Sequence, residues 1–278
     1  MKKAILSALL LVLSVVCATA QTTRMRINFA DGKQMSIPVG SVDYIDWVTD
    51  GENPDRPDVT PAGAEAVDLG LSVKWANMNV GAESVTDYGD YFAWGETEGY
   101  KSGKTEFSES TYKYYMSTTE KYTDKDGFEV VTGKKQGYTK YVADDRYGYD
   151  GFRDDKKTLD LEDDAANANW GGEWRMPTSK EIYELVSKCS WQWCALNNVW
   201  GYKVVGPNDN FIFLPAAGRR GGSSLYDAGS DGGYWSSSLG ERYSDYAYSL
   251  DFDSDDVDWD RGYYHLRYNG LSVRPVCP

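Results

Sequence analysis

An α+β fold is the class this sequence predicts, and three observations carry that prediction. Residues 23–48 alternate apolar and polar with period two, the mark of half-buried strands. Residues 178–189 hold a capped helix with an apolar stripe at i, i+3, i+4 and i+7. Short apolar runs bounded by Gly, Pro, Asn and Asp then recur towards the C-terminus, the pattern of short strands joined by turns.

The elements follow in order. Residues 1–20 read as an export signal. Lys2 and Lys3 form a charged start, residues 4–16 are apolar, and Ala18-Thr19-Ala20 is a small-x-small cleavage site before Gln21. The apolar run is too short to span a bilayer, and no later run is long enough. Val16 before Cys17 does not suit a lipid-anchor site. The mature chain is therefore expected outside the cytoplasm, at the cell surface, in a periplasm or secreted, with no transmembrane segment. Residues 21–48 predict a hairpin: Met25, Ile27 and Phe29 share one parity, Asp31-Gly32 offers the turn, and Met35, Ile37 and Val39 return. Val42, Tyr44 and Trp47 extend it. Residues 49–63 are polar and rich in Pro and Gly, and read as a linker.

The main domain is expected over residues 64–278. Its first strands lie in AVDLGLSVKWANMNVGA, around Trp75. Residues 99–160 are polar, rich in Lys and Tyr and studded with Gly. They read as a long solvated insertion with short strands at most. The capped helix follows Pro177. Thr178 and Glu181 make the capping box, and Ile182, Leu185, Val186 and Cys189 form the stripe. A shorter helix is expected near 163–169. Trp170, Trp174, Trp191, Trp193 and Trp200 crowd one part of the chain, as packed core or as a carbohydrate-stacking platform. GYKVVGPNDNFIFLPAAG reads as two strands about a turn at 207–210. Tyr246, Tyr248, Leu250 and Phe252 share one parity, and a turn at 253–256 shifts it for Val257 and Trp259. A final strand is expected over 271–276.

Composition narrows the function. A net charge of −14 argues against nucleic acid, because phosphate binding needs a basic face. His265 is the single histidine and cannot form a histidine metal cluster or a triad by itself. The acids from Asp251 to Asp260 fail as an EF-hand loop: a loop starting at Asp251 wants Gly at its sixth position and Glu at its twelfth, and these are Asp256 and Gly262. No spacing singles out a carboxylate pair for glycoside hydrolysis. No cofactor and no metal is expected. Cys189, Cys194 and Cys277 allow one disulfide and a leftover thiol.

The last 75 residues change alphabet. All 17 lysines lie at or before Lys203; beyond it there is no Gln or Met, and Glu241 is the single Glu. An ordinary solvated face uses Lys and Glu freely. Here polarity comes from Tyr, Asp, Ser, Gly and Arg, the alphabet of binding loops, in which Tyr gives stiff amphipathic contact area and small polar residues adapt. The same alphabet results when the two adenines of AAC or AAT codons are randomised. The products include Tyr, Asp, Ser, Gly, His, Arg and Asn, and never Lys, Glu, Gln, Met or Trp, so Glu241, Trp235 and Trp259 would have to be template-fixed.

The segments AVDLGLSVKWAN, GDYFAWGE, DDAANANWGGEWRMPT, GYKVVGPNDNFIFLPAAG, YWSSS and GLSVRPV together resemble the Fibrobacter succinogenes major paralogous domain. That family is similar to the C-type lectin and formylglycine-generating-enzyme superfamily. The resemblance covers about 64–277 apart from the insertion. It implies two helices, a twisted antiparallel sheet and a long irregular loop system carrying function, with WRMPTSKEIYEL starting the second helix. The enzyme branch uses a reactive cysteine pair near the C-terminal part, where this chain has Cys277 alone. The Glu-Pro-Asn and Trp-Asn-Asp motifs of calcium-dependent lectins are missing. Similar domains serve as targets of diversity-generating retroelements, in which adenine-directed mutagenesis varies a displayed C-terminal segment. The composition of 219–269 fits that subset.

The expected function is ligand binding without catalysis, the partner being a protein or glycan at the cell exterior. The binding face is expected to draw on Tyr226 and Asp227, on Arg242, Tyr243, Asp245, Tyr246 and Tyr248, and on Asp251, Asp253, Asp256, Asp258 and Asp260. Arg261, Tyr263, Tyr264, His265, Arg267 and Tyr268 complete it. Tyr243, Tyr246, Tyr263 and Tyr264 would anchor a ligand, while Arg242, Arg261 and Arg267 would make bidentate or stacking contacts. A Cys189–Cys277 bridge would staple helix to last strand, with Cys189–Cys194 as the rival pairing. The other readings are a non-diversified adhesin or structural paralogue, and an oxidase of the formylglycine-generating type.

Overall fold

The computed structural model describes residues 24–28, 34–38, 57–258 and 264–278, with side chains from residue 57 onward except in 259–264. The chain divides into two compact units, 1–54 and 55–278. In the first unit β1 (Arg24–Asn28) and β2 (Gln34–Pro38) pair antiparallel, with Met25 opposite Ile37 and Ile27 opposite Met35. The pairing follows the apolar parity of the sequence, but it leaves five residues, 29–33, between the strands, so it is not the register of a two-residue turn at Asp31-Gly32; that turn lies outside the described residues. The export signal with Cys17, the extension through Val42, Tyr44 and Trp47, and residues 49–56 of the expected linker lie outside the described residues.

The second unit is α+β: two helices and several small antiparallel sheets. It begins earlier than the sequence predicts. The Val59 amide donates to the Trp170 carbonyl (2.8 Å) and the Trp174 indole to Thr60 Oγ1 (2.7 Å), so the end of the expected linker is packed onto the domain. Strands β3 (Ala66–Val67) and β4 (Lys74–Ala76) pair, and Trp75 of β4 is buried.

The insertion departs most from its expected form. It carries a long hairpin, β5 (Tyr115–Thr123) with β6 (Glu129–Tyr138). Both strands are largely solvated on both faces, so they lack the apolar alternation that marks a half-buried strand. Its flanks are not solvated: Phe107, Tyr112, Tyr114, Tyr138, Tyr141 and Val142 enter the main core.

Helix α1 (Ala165–Trp170) starts at Asp164, whose carboxylate accepts from the amides of Ala166 and Asn167. Helix α2 (Ser179–Lys188) has the expected capping box. Thr178 Oγ1 accepts from the Glu181 amide at 3.3 Å, and Glu181 Oε2 accepts from the Thr178 amide at 2.7 Å. Ile182 and Leu185 are buried, as their spacing requires. A meander follows: β7 (Ser190–Leu196), β8 (Val199–Val205) and β9 (Phe211–Pro215). Asn197 and Asn198 make the β7–β8 turn, both at positive φ (50° and 64°), as a primed two-residue turn demands.

Hairpin β10 (Arg219–Gly221) and β11 (Ser224–Tyr226) comes next, then β12 (Gly232–Leu239) and β13 (Tyr246–Phe252). β13 also pairs β14 (Val257–Asp258) and β15 (Tyr264–Leu266). The Asp253 amide donates to the Asp256 carbonyl at 3.1 Å, closing the expected turn. The final strand is shorter than predicted: β16 (Val276–Cys277) pairs β4, while 271–274 run through the core by isolated bridges to Phe92 and Tyr234. Two buried clusters fill the unit. One is centred on Phe92, Trp94, Tyr141, Trp170, Trp235 and Val273; the other on Trp75, Leu185, Val204, Leu214, Leu250 and Phe252.

Candidate functional site

The C-terminal segment sorts itself by burial. LPAAG (214–218) and GLSVRPV (270–276) are buried throughout, and YWSSS (234–238) is buried except at half-buried Ser238. Between them, 223–228, 241–243 and 253–256 are exposed. Gly218 shows why one such piece has its sequence. Its φ is +66°, and a Cβ there would lie 2.1 Å from the Tyr226 carbonyl oxygen, so glycine lets β10 turn beneath β11.

Most of the expected contact residues lie among the described ones. Tyr226 is 45% exposed at the end of β11, with the Arg219 guanidinium 5.5 Å from its ring centroid; Asp227, also exposed, lies 3.7 Å from Arg219 Nε. Arg242 and Tyr243 are exposed in the 240–245 loop, and the Tyr243 ring tilts against Tyr246 at 6.2 Å. Tyr246 and Tyr248 are half-buried on β13. Asp245 is half-buried, and burial raises its carboxyl pKa; its Oδ1 is buried without a hydrogen-bond partner. Asp253 and Asp256 are exposed and Asp258 half-buried; Asp253 Oδ1 accepts from the amides of Asp255 and Asp256 and so shapes the turn. Asp260, Arg261 and Tyr263, and the side chain of Tyr264, lie outside the described residues.

Several expectations need correction. Arg267 is 0% exposed and is no surface contact. Its Nε donates to Tyr112 Oη, its Nη1 to the carbonyls of Tyr141 and Ser244, and its Nη2 to that of Lys140. It ties the insertion to the C-terminal sheet. Tyr268 packs against the main core. Asp251 does not simply face outward: Oδ1 lies 2.7 Å from His265 Nε2 across β13 and β15, and Oδ2 accepts from Ser249 Oγ at 2.5 Å. The carboxylate stands between serine and imidazole, so this trio lacks the order of a catalytic triad, in which the imidazole touches the nucleophile. Cys189, Cys194 and Cys277 are free thiols, so neither expected bridge is formed. Cys189 packs against one core cluster and Cys277 against the other, which explains their separation.

Two other constellations belong to the frame. Asp160, Glu162 and Asp163 converge within metal-binding distance, yet the Lys140 ammonium lies 2.6–2.9 Å from all three. Burial alone would raise the Asp163 carboxyl; hydrogen bonds from Lys140 and Tyr141 among others outweigh it and hold the pKa at about 2. The tryptophans divide. Trp170 and Trp174 are core, Trp191 and Trp193 are half-buried, and Trp200 is exposed and stacked on Trp193 at 6.0 Å with an 11° interplanar angle.

Arg220 and Tyr100 are close neighbours that residue-by-residue reading did not single out. The Arg220 guanidinium lies 3.2 Å from the Tyr100 ring centroid. The Arg219-Arg220 doublet was the sole local signal, and it does not say which arginine turns inward. Among the described residues, no helix is long and apolar enough to cross a membrane. No family model, no curated protein and no solved structure matches this chain.

Proposed function

We propose that this protein is an exported ligand-binding protein that carries out no reaction. In this reading a lectin-like frame displays a Tyr-, Asp-, Ser- and Arg-rich surface diversified by a retroelement. The single observation that supports it is the burial sorting above: LPAAG, YWSSS and GLSVRPV pack inside apart from half-buried Ser238, and 223–228, 241–243 and 253–256 lie outside in the binding-loop alphabet, while Arg220, Ser244, Ser249 and Arg267 of that alphabet turn inward as part of the frame. An α+β unit with two helices and small antiparallel sheets is compatible with a lectin-like frame. Tyr226 and Tyr243 are the exposed anchors among the described residues of that surface.

The test has two arms. Binders are sought among cell-exterior proteins and glycans with the mature chain, and Tyr226→Ala and Tyr243→Ala are compared with wild type. A loss of about tenfold or more in affinity is expected from an anchor; unchanged affinity for both variants rejects the placement. In the gene's neighbourhood, an adenine-richer near-copy of the last coding segment beside a reverse-transcriptase gene is expected; identical C-terminal segments across many strains would count against diversification. A non-diversified adhesin is the second reading, and the exposed Trp200–Trp193 stack favours it, because a fixed aromatic platform suits a constant ligand.

A further inference from the structure

Among the described residues of the second unit three arginines are buried, and two of them are fully employed. Arg267 donates from all three nitrogens, as described above. Arg274 does the same: Nε to Asn79 Oδ1, Nη1 to the Ala76 carbonyl and Nη2 to the Phe213 carbonyl. Arg220 is different. It is 9% exposed, yet its Nε is buried without a partner, and among the described residues its guanidinium makes no hydrogen bond and no ion pair. Its contacts are two aromatic faces, Tyr100 at 3.2 Å and Tyr91 at 5.1 Å. The backbone of Arg220 is held on both sides, exchanging hydrogen bonds with Gly270 and pairing with Leu225.

A buried charge without a counter-charge is costly, and cation–π contact offsets only part of the cost. The ring also fixes orientation. A guanidinium forms hydrogen bonds in its own plane, and with its carbon 3.2 Å from the Tyr100 ring centroid it is too close for an edge-on approach, so one of its faces is taken by the ring. Nε is sealed, so the Nη edge is the side that reaches solvent. Two parallel N–H groups in a plane match the two oxygens of a carboxylate. Tyr100 is 38% exposed beside this edge and offers a ligand a second contact.

We infer that Arg220, held flat on Tyr100, is the recognition group of a subsite for carboxylate-bearing ligands. The subsite lies at the β10–β11 hairpin that also carries Tyr226. The inference deepens the binding reading and rests on it for the existence of an exterior ligand. It differs in naming the charge and shape of what is bound: an anion, on a protein of net charge −14. Attraction at this point must be local, so it should survive moderate salt better than a surface ion pair does.

The experiment uses the full mature chain labelled with nitrogen-15. The arginine Nε–Hε resonances are followed while glucuronate, glucose or inorganic phosphate is added at constant ionic strength. The Arg220 signal is assigned by its loss in Arg220→Lys. Expected are a saturable shift of that signal with glucuronate, no shift with glucose, and weaker binding of phosphate. Arg220→Lys keeps the charge but loses the fork, so glucuronate affinity should fall about tenfold, the loss of one charge-assisted hydrogen bond. Should Arg220→Lys not fold, Tyr100→Leu serves instead, and its glucuronate affinity should fall while its other amide resonances stay in place. An unmoved Arg220 signal, an equal response to glucose, or tighter binding of phosphate overturns the inference. A flat glucuronate titration alongside a ligand still lost on Tyr226→Ala sinks the subsite and leaves the wider binding reading standing.

Discussion

Lys140 and Asp163 show how single residues decide stability in this chain. Asp163 is nearly buried and held at about 2 against an ordinary 3.8. A depressed carboxyl contributes stability that is present above its unfolded pKa and lost as pH falls through its folded one. The window is therefore about pH 4 down to pH 2. Asp163→Asn should cost about 2 kcal/mol at pH 7, and the gap from wild type should close near pH 2; urea titrations at both pH values check this, and an equal gap at both would refute it. Asp164 has the opposite sign. Burial raises it to about 6 despite amides from Asn167, Met176 and Ala166, so its ionisation lowers stability as pH rises from about 4 to 6. Arg267 makes a second prediction at this scale. Arg267→Met orphans the carbonyls of Lys140, Tyr141 and Ser244 and should cost about 3 kcal/mol or more. Tyr243→Ala should stay within about 1 kcal/mol, because it is a surface change. Equal losses in denaturant unfolding would return Arg267 to the surface set.

At the scale of elements, α2 was the most legible and β5–β6 the least. The capping box of Thr178 and Glu181 and the stripe of Ile182 and Leu185 are local patterns, set by a turn of 3.6 residues whatever the helix packs on. Glu181 does more than its spacing reveals, since it also pairs with Arg175 at 2.6 Å. Thr178→Ala should lower stability by about 1 kcal/mol, read as a shift in denaturant midpoint with unchanged slope. Glu181→Ala should cost more than that; the reverse order would mean the cap outweighs the ion pair. The β5–β6 hairpin escaped because a strand solvated on both faces carries no period-two signal, although Thr, Tyr and Val mark it by propensity. The β7–β8 turn had a signal, Asn197-Asn198, hidden inside a stretch read for its tryptophans.

Across the whole second unit, cohesion comes from packing and buried hydrogen bonds rather than from cross-links. The three thiols are free; burial pushes the Cys189 thiol up to about 11 and raises Cys277 as well. Neither should react readily at neutral pH, since the thiolate is the nucleophile. The melting temperature should therefore be unchanged by dithiothreitol, and iodoacetamide should label Cys189 and Cys277 slowly at pH 7. A drop of several degrees on reduction would restore the Cys189–Cys277 bridge that the sequence reading favoured. The free thiols also explain why Arg267 and Arg274 matter: each gathers groups that lie far apart along the chain, as a staple would.

The sequence by itself determined what is local: the apolar parity of the N-terminal hairpin, the capped helix, the turn at 253–256 and the change of alphabet after Lys203. Only the tertiary structure decided which polar residues turn inward. Arg267 and Arg242 are the same residue type in the same stretch, yet one reaches Tyr112, Tyr141 and Lys140 and the other stays exposed. Arg219 and Arg220 are adjacent, and only the second is buried against Tyr100. Periodicity is a property of neighbours in the chain, whereas burial depends on partners more than a hundred residues away. For that reason the binding-loop alphabet was readable as composition, while the division between frame and surface had to wait for the fold.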